Sequence, residues 1–173
     1  MLRRRPWLFV LVLVACVGCD HATKQVAAQW LAGRDVLSLL GGFVQLQLVA
    51  NPGAFLSLGA GLPEAVRHFV LIGLVPLALA LVTVLLWRAP GASRTQVLAL
   101  GLVAGGGLAN WLDRVLGGGT VTDFVSLGVG ALRTGIFNVA DVAIVAGLLL
   151  LLRARTPERP AQSSPTASTW GSP

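Results

Sequence analysis

Residues 69–87 read FVLIGLVPLALALVTVLLW, with His68 before them and Arg88 after. No charge interrupts the run, and crossing about 30 Å of hydrocarbon takes roughly 20 apolar residues in a helix. The stretch is therefore a membrane crossing, with Pro76 expected to kink it against its neighbours. Three more stretches follow the same reading, at about 7–28, 95–112 and 135–152, the last with one acid inside it. The whole chain agrees: of 173 residues, 55% are hydrophobic and 12% charged, with a mean hydropathy of +0.79. A water-soluble domain carries roughly 25% charge, so this chain has too little polar surface to be one, and too much apolar sequence to be disordered.

The net charge of +6 and pI near 11.3 do not indicate nucleic acid. The basic residues are scattered between apolar runs and never interleave with aromatics. Their distribution instead orients the chain. With four crossings, both termini and the 88–94 loop share a side, which holds eight arginines (3, 4, 5, 88, 94, 153, 155 and 159) against Glu158 alone. The opposite side holds five basic residues against six acids. The positive-inside rule places both termini in the cytoplasm.

The expected architecture is an all-α membrane protein: four transmembrane helices and a small extracytoplasmic β-containing cradle. A membrane domain covers 1–155, with extracytoplasmic segments at 29–68 and 113–134. The Gln45/Gln47 alternation in Phe43–Val49 fits a short strand. Residues 156–173, rich in Pro, Ser and Thr, read as a disordered cytoplasmic tail. Two N-terminal patterns do not decide the fold. Leu13-Val14-Ala15-Cys16 looks like a lipoprotein cleavage box, but more membrane spans follow where a soluble domain would be expected. Cys16-Val17-Gly18-Cys19 is a CxxC inside an apolar run, where cysteine acts as a small hydrophobe.

Ionisable groups in or beside a membrane span are costly and point to function. Asp20, Thr23 and Lys24 share one helical face, as do Asn110, Asp113 and Arg114, and Asn138 lies three residues before Asp141. For Asp20–Lys24 and Asp113–Arg114, an anchoring ion pair and a functional role are equally open. Asp123 and Asp141 differ: each sits in apolar sequence with no local cation. Two carboxylates drawn together share a proton, leaving one as base on a water and the other as acid. No His/Cys metal set exists, no Ser or Cys has an evident base partner, and no phosphate-binding glycine loop is present, so neither a metal nor a cofactor is expected. If the chain is an enzyme, paired aspartates are its remaining chemistry.

Five motifs, in order along the chain, resemble those of the lipoprotein signal peptidases (signal peptidase II), four-span aspartic proteases of the bacterial inner membrane. Asp20-His21-Ala22-Thr23-Lys24 resembles D-x-x-T-K, and Asn51-Pro52-Gly53-Ala54-Phe55-Leu56-Ser57 resembles N-x-G-A-x-x-S. Asn110-Trp111-Leu112-Asp113-Arg114 matches N-x-x-D-R, Val121-Thr122-Asp123-Phe124 resembles V-x-D-F, and Phe137-Asn138-Val139-Ala140-Asp141 matches F-N-x-A-D. The resemblance implies that Asp123 and Asp141 are catalytic, that Asn51, Asn110, Arg114 and Asn138 line the site, and that Asp20, Lys24 and Asp113 support it. It implies a diacylglyceryl-modified prolipoprotein as substrate, cut before the lipidated cysteine near the periplasmic face, and inhibition by globomycin. One chain carries every group this chemistry needs, so a monomer is expected among membrane lipid. Ala109, Phe55-Leu56 and Val142 depart from the usual pattern without removing a catalytic group. Two other readings remain: a non-catalytic copy that binds lipoproteins, and a small proton-coupled transporter using the same acids.

Overall fold

The computed structural model describes residues 6–88 and 92–154. The tail expected over 156–173 lies outside them, as do Arg3, Arg4, Arg5, Arg155 and Arg159. The first helix, α1 (Pro6–Leu31), runs unbroken through both cysteines, which are free. Strands β1 (Leu37–Leu39) and β2 (Val44–Asn51) follow. A short helix α2 (Glu64–His68) leads through a π-helical turn, Phe69–Leu74, into α3 (Val75–Arg88). Helix α4 (Arg94–Leu116), strands β3 (Val121–Val129) and β4 (Leu132–Arg133), and helix α5 (Val139–Ala154) complete the order.

Among the described residues, three helical stretches are long and apolar enough to cross a membrane: Pro6–Leu31, Glu64–Leu85 and Arg94–Leu116. The fourth expected crossing is shorter than the sequence suggests. Helix α5 has 16 residues, about 24 Å at 1.5 Å per residue. Its start is held back because Phe137 bridges Val125 of β3, which keeps 135–137 extended, and because Asn138 caps the helix. The molecule is a multi-span helical membrane protein bearing one small sheet.

Pro76 explains the π turn. Proline has no N–H for the carbonyl four residues back and crowds it. Here that carbonyl belongs to Ile72, and it accepts the Trp111 indole N–H at 3.0 Å instead. The bond ties the break in the second crossing to α4.

Helix α4 is central. A capping box starts it: the Ser93 side chain accepts from the Gln96 N–H, and the Gln96 side chain accepts from the Ser93 N–H. Gly101 and Gly105 of α4 form a G-x-x-x-G that packs closely against α1. A Cβ on Gly101 would stand 2.9 Å from the Val12 side chain, and one on Gly105 would stand 2.7 Å from Cβ of Cys16. On the opposite flank, a Cβ on Gly106 would reach 2.5 Å from the Ala140 carbonyl oxygen of α5. Small residues thus let backbone approach backbone on both sides.

The sheet is antiparallel, in the order β1-β2-β3-β4. Strands β2 and β3 pair Asn51 with Val121 and Val49 with Asp123, then shift register between Val49 and Leu46. Gly118 (φ +67°) and Gly119 (φ +90°) turn the chain from α4 into β3, in a backbone region that favours glycine. The interior is unusually polar. Large apolar side chains of α1, α3 and α5 face outward, while the buried side chains include nine polar or charged residues among those described. Every one of them but Ser126 is a residue that the sequence motifs singled out.

Candidate active site

Four elements converge on Asp123 and Asp141. Asp123 lies on β3 and is 1% exposed; Asp141 lies in the first turn of α5 and is 5% exposed. Each of the four carboxylate oxygens accepts one hydrogen bond. Asp123 Oδ1 accepts from Asn138 Nδ2 at 2.6 Å, and Asp123 Oδ2 from Asn51 Nδ2 at 2.8 Å. Asp141 Oδ1 accepts from Asn110 Nδ2 at 2.9 Å, and Asp141 Oδ2 from the Asn138 backbone N–H at 3.3 Å. Asn138 therefore touches both acids.

Each asparagine is itself fixed. Asn138 Oδ1 accepts the Asp141 N–H at 2.9 Å, so Asn138 and Asp141 form a reciprocal cap at the start of α5. Asn51 closes a turn, accepting from the Gly53 N–H at 2.8 Å and donating to the Ala54 carbonyl at 3.1 Å. A Cβ on Gly53 would lie 2.7 Å from the Ser57 backbone, so only glycine fits there. Asn110 Oδ1 accepts from Asn138 Nδ2 at 3.1 Å and from Lys24 Nζ at 3.0 Å.

Lys24 sits at the centre of a second layer. Its ammonium pairs with Asp20 at 2.5 Å and with Asp113 at 2.8 Å, and all three side chains are largely buried. The two acids then reach backbone beside the central pair. Asp20 Oδ1 accepts the Ala140 N–H at 2.8 Å, and Asp113 Oδ2 accepts the Thr122 N–H at 3.2 Å. Ala140 precedes Asp141 and Thr122 precedes Asp123. A single buried cation thus positions both acids through their neighbours' peptide groups.

The Asp113–Arg114 ion pair considered from sequence is not formed. Arg114 is 8% exposed and turns inward, donating to the Asn110 carbonyl at 2.9 Å and the Gly53 carbonyl at 2.6 Å. Adjacent helical residues point about 100° apart, so Asp113 and Arg114 serve different partners. The Asp20–Lys24 pair does form, but as part of a buried network.

Burial pushes the Asp123 carboxyl from its ordinary 3.8 up to about 6. The Asp141 charge pushes the same way, while the bonds from Asn51 and Asn138 and the Lys24 charge oppose it. A carboxyl near 6 can hold or release a proton at neutral pH, which is what general acid–base work requires.

Three contributors to the site are backbone groups. The Gly53 carbonyl anchors Arg114, and the Ala140 and Thr122 amides anchor the second layer; backbone groups leave no signature in residue types. His21 lies beside this layer: its Nδ1 bonds the Val17 carbonyl at 3.1 Å, and its Nε2 lies 3.6 Å from Asp113. Asp20, His21 and Asp113 bring three potential ligand atoms within 4.8 Å of one another. Lys24 already neutralises both of these carboxylates, so a metal there would have to displace it.

Known proteins resemble this chain in sequence and in fold. A family model described as "Signal peptidase (SPase) II" matches residues 12–155. The lipoprotein signal peptidase of Beijerinckia indica is 38% identical over 163 residues, covering 90% of this chain and 92% of its own. That of a Methylobacterium species, strain 4-46, is 42% identical over 152 residues, covering 86% and 88%. A bacterial membrane enzyme solved by the in meso method at 2.3 Å shares the fold, with a TM-score of 0.73 at 23% identity over 87% of this chain and 92% of that one. A second, solved at 1.9 Å, gives a TM-score of 0.67 at 25% identity, covering 87% and 94%.

Proposed function

Because the chain belongs to the signal peptidase II family, and so is an aspartic endopeptidase that removes signal peptides from prolipoproteins, we propose that Asp123 and Asp141 are the pair that activates its water. The observation that carries this is the convergence of both buried carboxylates on Asn138. Two acids held this close share one proton. The ionised member takes a proton from a water between them, and the resulting hydroxide adds to the scissile carbonyl. The protonated member donates to the carbonyl oxygen, and a proton returned to the amine lets the C–N bond break.

Asn51, Asn110 and Asn138 hold the carboxylates in place, so no reorganisation is needed as charge moves between them. Arg114 keeps a buried Nε–H without an acceptor, available to a carbonyl of the incoming chain. Asp20, Lys24 and Asp113 act as positioning residues. The substrate is a diacylglyceryl-modified prolipoprotein, cut just before its lipidated cysteine.

In this reading 1–155 is the membrane peptidase domain. Helix α5 makes the fourth crossing, both termini lie in the cytoplasm of a bacterium, and the acids work near the periplasmic face of the inner membrane. One chain suffices, and globomycin is the matching inhibitor.

The test is cleavage of a lipidated prolipopeptide in proteoliposomes by Asp123→Asn and Asp141→Asn. Each variant is expected to insert normally and lose at least about a thousandfold in rate. Substantial cleavage by either variant overturns the pair. Neither rival reading of the sequence expects this loss: a lipoprotein-binding copy has no rate to lose, and a transporter would lose flux instead.

A further inference from the structure

A groove of about 680 Å³ lies along the outer half of α1, on the side of β3 away from the acids. Its wall is apolar, built from Val26, Ala27, Leu31, Leu46 and Phe124, and its rim carries Arg34 and Asp35. Successive residues of a strand face opposite ways. Phe124 packs with Ala27 and Leu31 on the groove side, while Asp123 is bound by Asn51 and Asn138 on the other. The groove is therefore separated from the acids by the strand that carries Asp123.

Its depth in the bilayer is readable from two tryptophans. Trp7 and Trp30 project outward from α1, at 62% and 64% exposure. Their positions are 23 residues apart, about 34 Å of helix, close to the separation of the two aromatic belts that flank the hydrocarbon. Trp30 also lines the groove. The apolar wall thus starts within the hydrocarbon, and the Arg34/Asp35 rim stands at headgroup level. Among the described residues neither rim side chain is in an ion pair, though they are neighbours of opposite charge. The rim offers a phosphate a guanidinium and offers an ammonium a carboxylate.

We propose that this groove binds one zwitterionic aminophospholipid, of the phosphatidylethanolamine type, with an acyl chain against Phe124, its phosphate on Arg34 and its ammonium on Asp35. The lipid is distinct from the substrate and buttresses β3 from behind. Phosphatidylcholine brings a cation without an N–H, so it offers Asp35 charge but no hydrogen bond. Phosphatidylglycerol brings its headgroup no cation for Asp35. The site rests on the membrane depth of α1 and does not depend on which acids are catalytic.

The test is lipid retention by the full chain, measured by native mass spectrometry after mild delipidation from vesicles of equal palmitoyl-oleoyl phosphatidylethanolamine, phosphatidylcholine and phosphatidylglycerol. The protein is expected to keep one phosphatidylethanolamine in about three- to tenfold preference over either competitor. Arg34→Gln and Asp35→Asn should each abolish the preference, and Val26→Trp, which fills the groove, should remove the lipid. Cleavage by the two rim variants should remain. Equal retention of the three lipids, or an unchanged preference in both rim variants, overturns the proposal. Displacement of the retained lipid by a lipidated prolipopeptide overturns it too, since the groove would then belong to the substrate.

Discussion

Asn138 and Asp141 exchange hydrogen bonds across the first turn of α5, side chain to backbone in each direction. One motif therefore begins a helix and fixes a candidate catalytic group at the same time. Asn138→Ser keeps a capping oxygen but removes the amide that Asp123 accepts from. Its thermal midpoint should stay close to the parent, while cleavage falls at least about a hundredfold. Asn138→Ala should lose the same activity and about 1 kcal/mol of stability besides. Thermal unfolding in detergent alongside single-turnover cleavage separates the two contributions.

Lys24→Met leaves Asp20 and Asp113 buried without their cation. Breaking one side of a buried ion pair costs about 3–5 kcal/mol. The variant should be strongly destabilised and scarce in the membrane, and Lys24→Met combined with Asp113→Asn should recover part of the loss. A double variant no more stable than the single one would show that Asp113 does not depend on Lys24.

The raised Asp123 carboxyl makes stability depend on pH. Its protonated form is favoured in the fold, so its contribution is fully present below the unfolded value of 3.8 and is lost as pH rises through about 6. A rise of that size corresponds to about 3 kcal/mol. Asp123→Asn cannot titrate. It should therefore gain on the parent by roughly that amount between pH 4 and pH 7, whatever fixed offset its altered hydrogen bonding brings. Denaturation midpoints of both proteins across this window provide the check, and parallel curves would contradict it.

Trp111→Phe removes the indole N–H from the Ile72 carbonyl, at a cost of about 1–3 kcal/mol. Pro76→Ala restores a backbone N–H four residues after Ile72. The double variant should be more stable than Trp111→Phe alone, and a double-mutant cycle measures this coupling directly.

The apolar runs made the long helices legible, and the period-2 pattern around Gln45 and Gln47 marked β2. Asp123 and Asp141 stood out because nothing nearby in sequence could neutralise them. Their partners were harder to read. Asn110 and Asn138 come together across 28 positions, and nothing local says which amide serves which carboxylate. Arg114 misleads because its sequence neighbour is an acid, whereas its partner is the carbonyl of Gly53, 61 positions away. The start of α5 at Val139 is hidden in the sequence because Gly135-Ile136-Phe137 is apolar enough to extend the helix, yet Phe137 is held by β3. The π turn before Pro76 follows from proline chemistry, but its resolution by Trp111 depends on the packing of another helix.

The four-residue spacing of Asp20 and Lys24 also bears on how the protein is made. A nascent α1 enters the lipid before α4 and α5 exist to receive its charged groups. Acid and base one turn apart can form a neutral pair within α1 itself, so the helix holds its own counterion before any other helix is present. Only when the third crossing arrives does the lysine acquire its second carboxylate. Biogenesis and site assembly thus draw on the same two side chains, and a charge reversal at either position should be felt first at insertion.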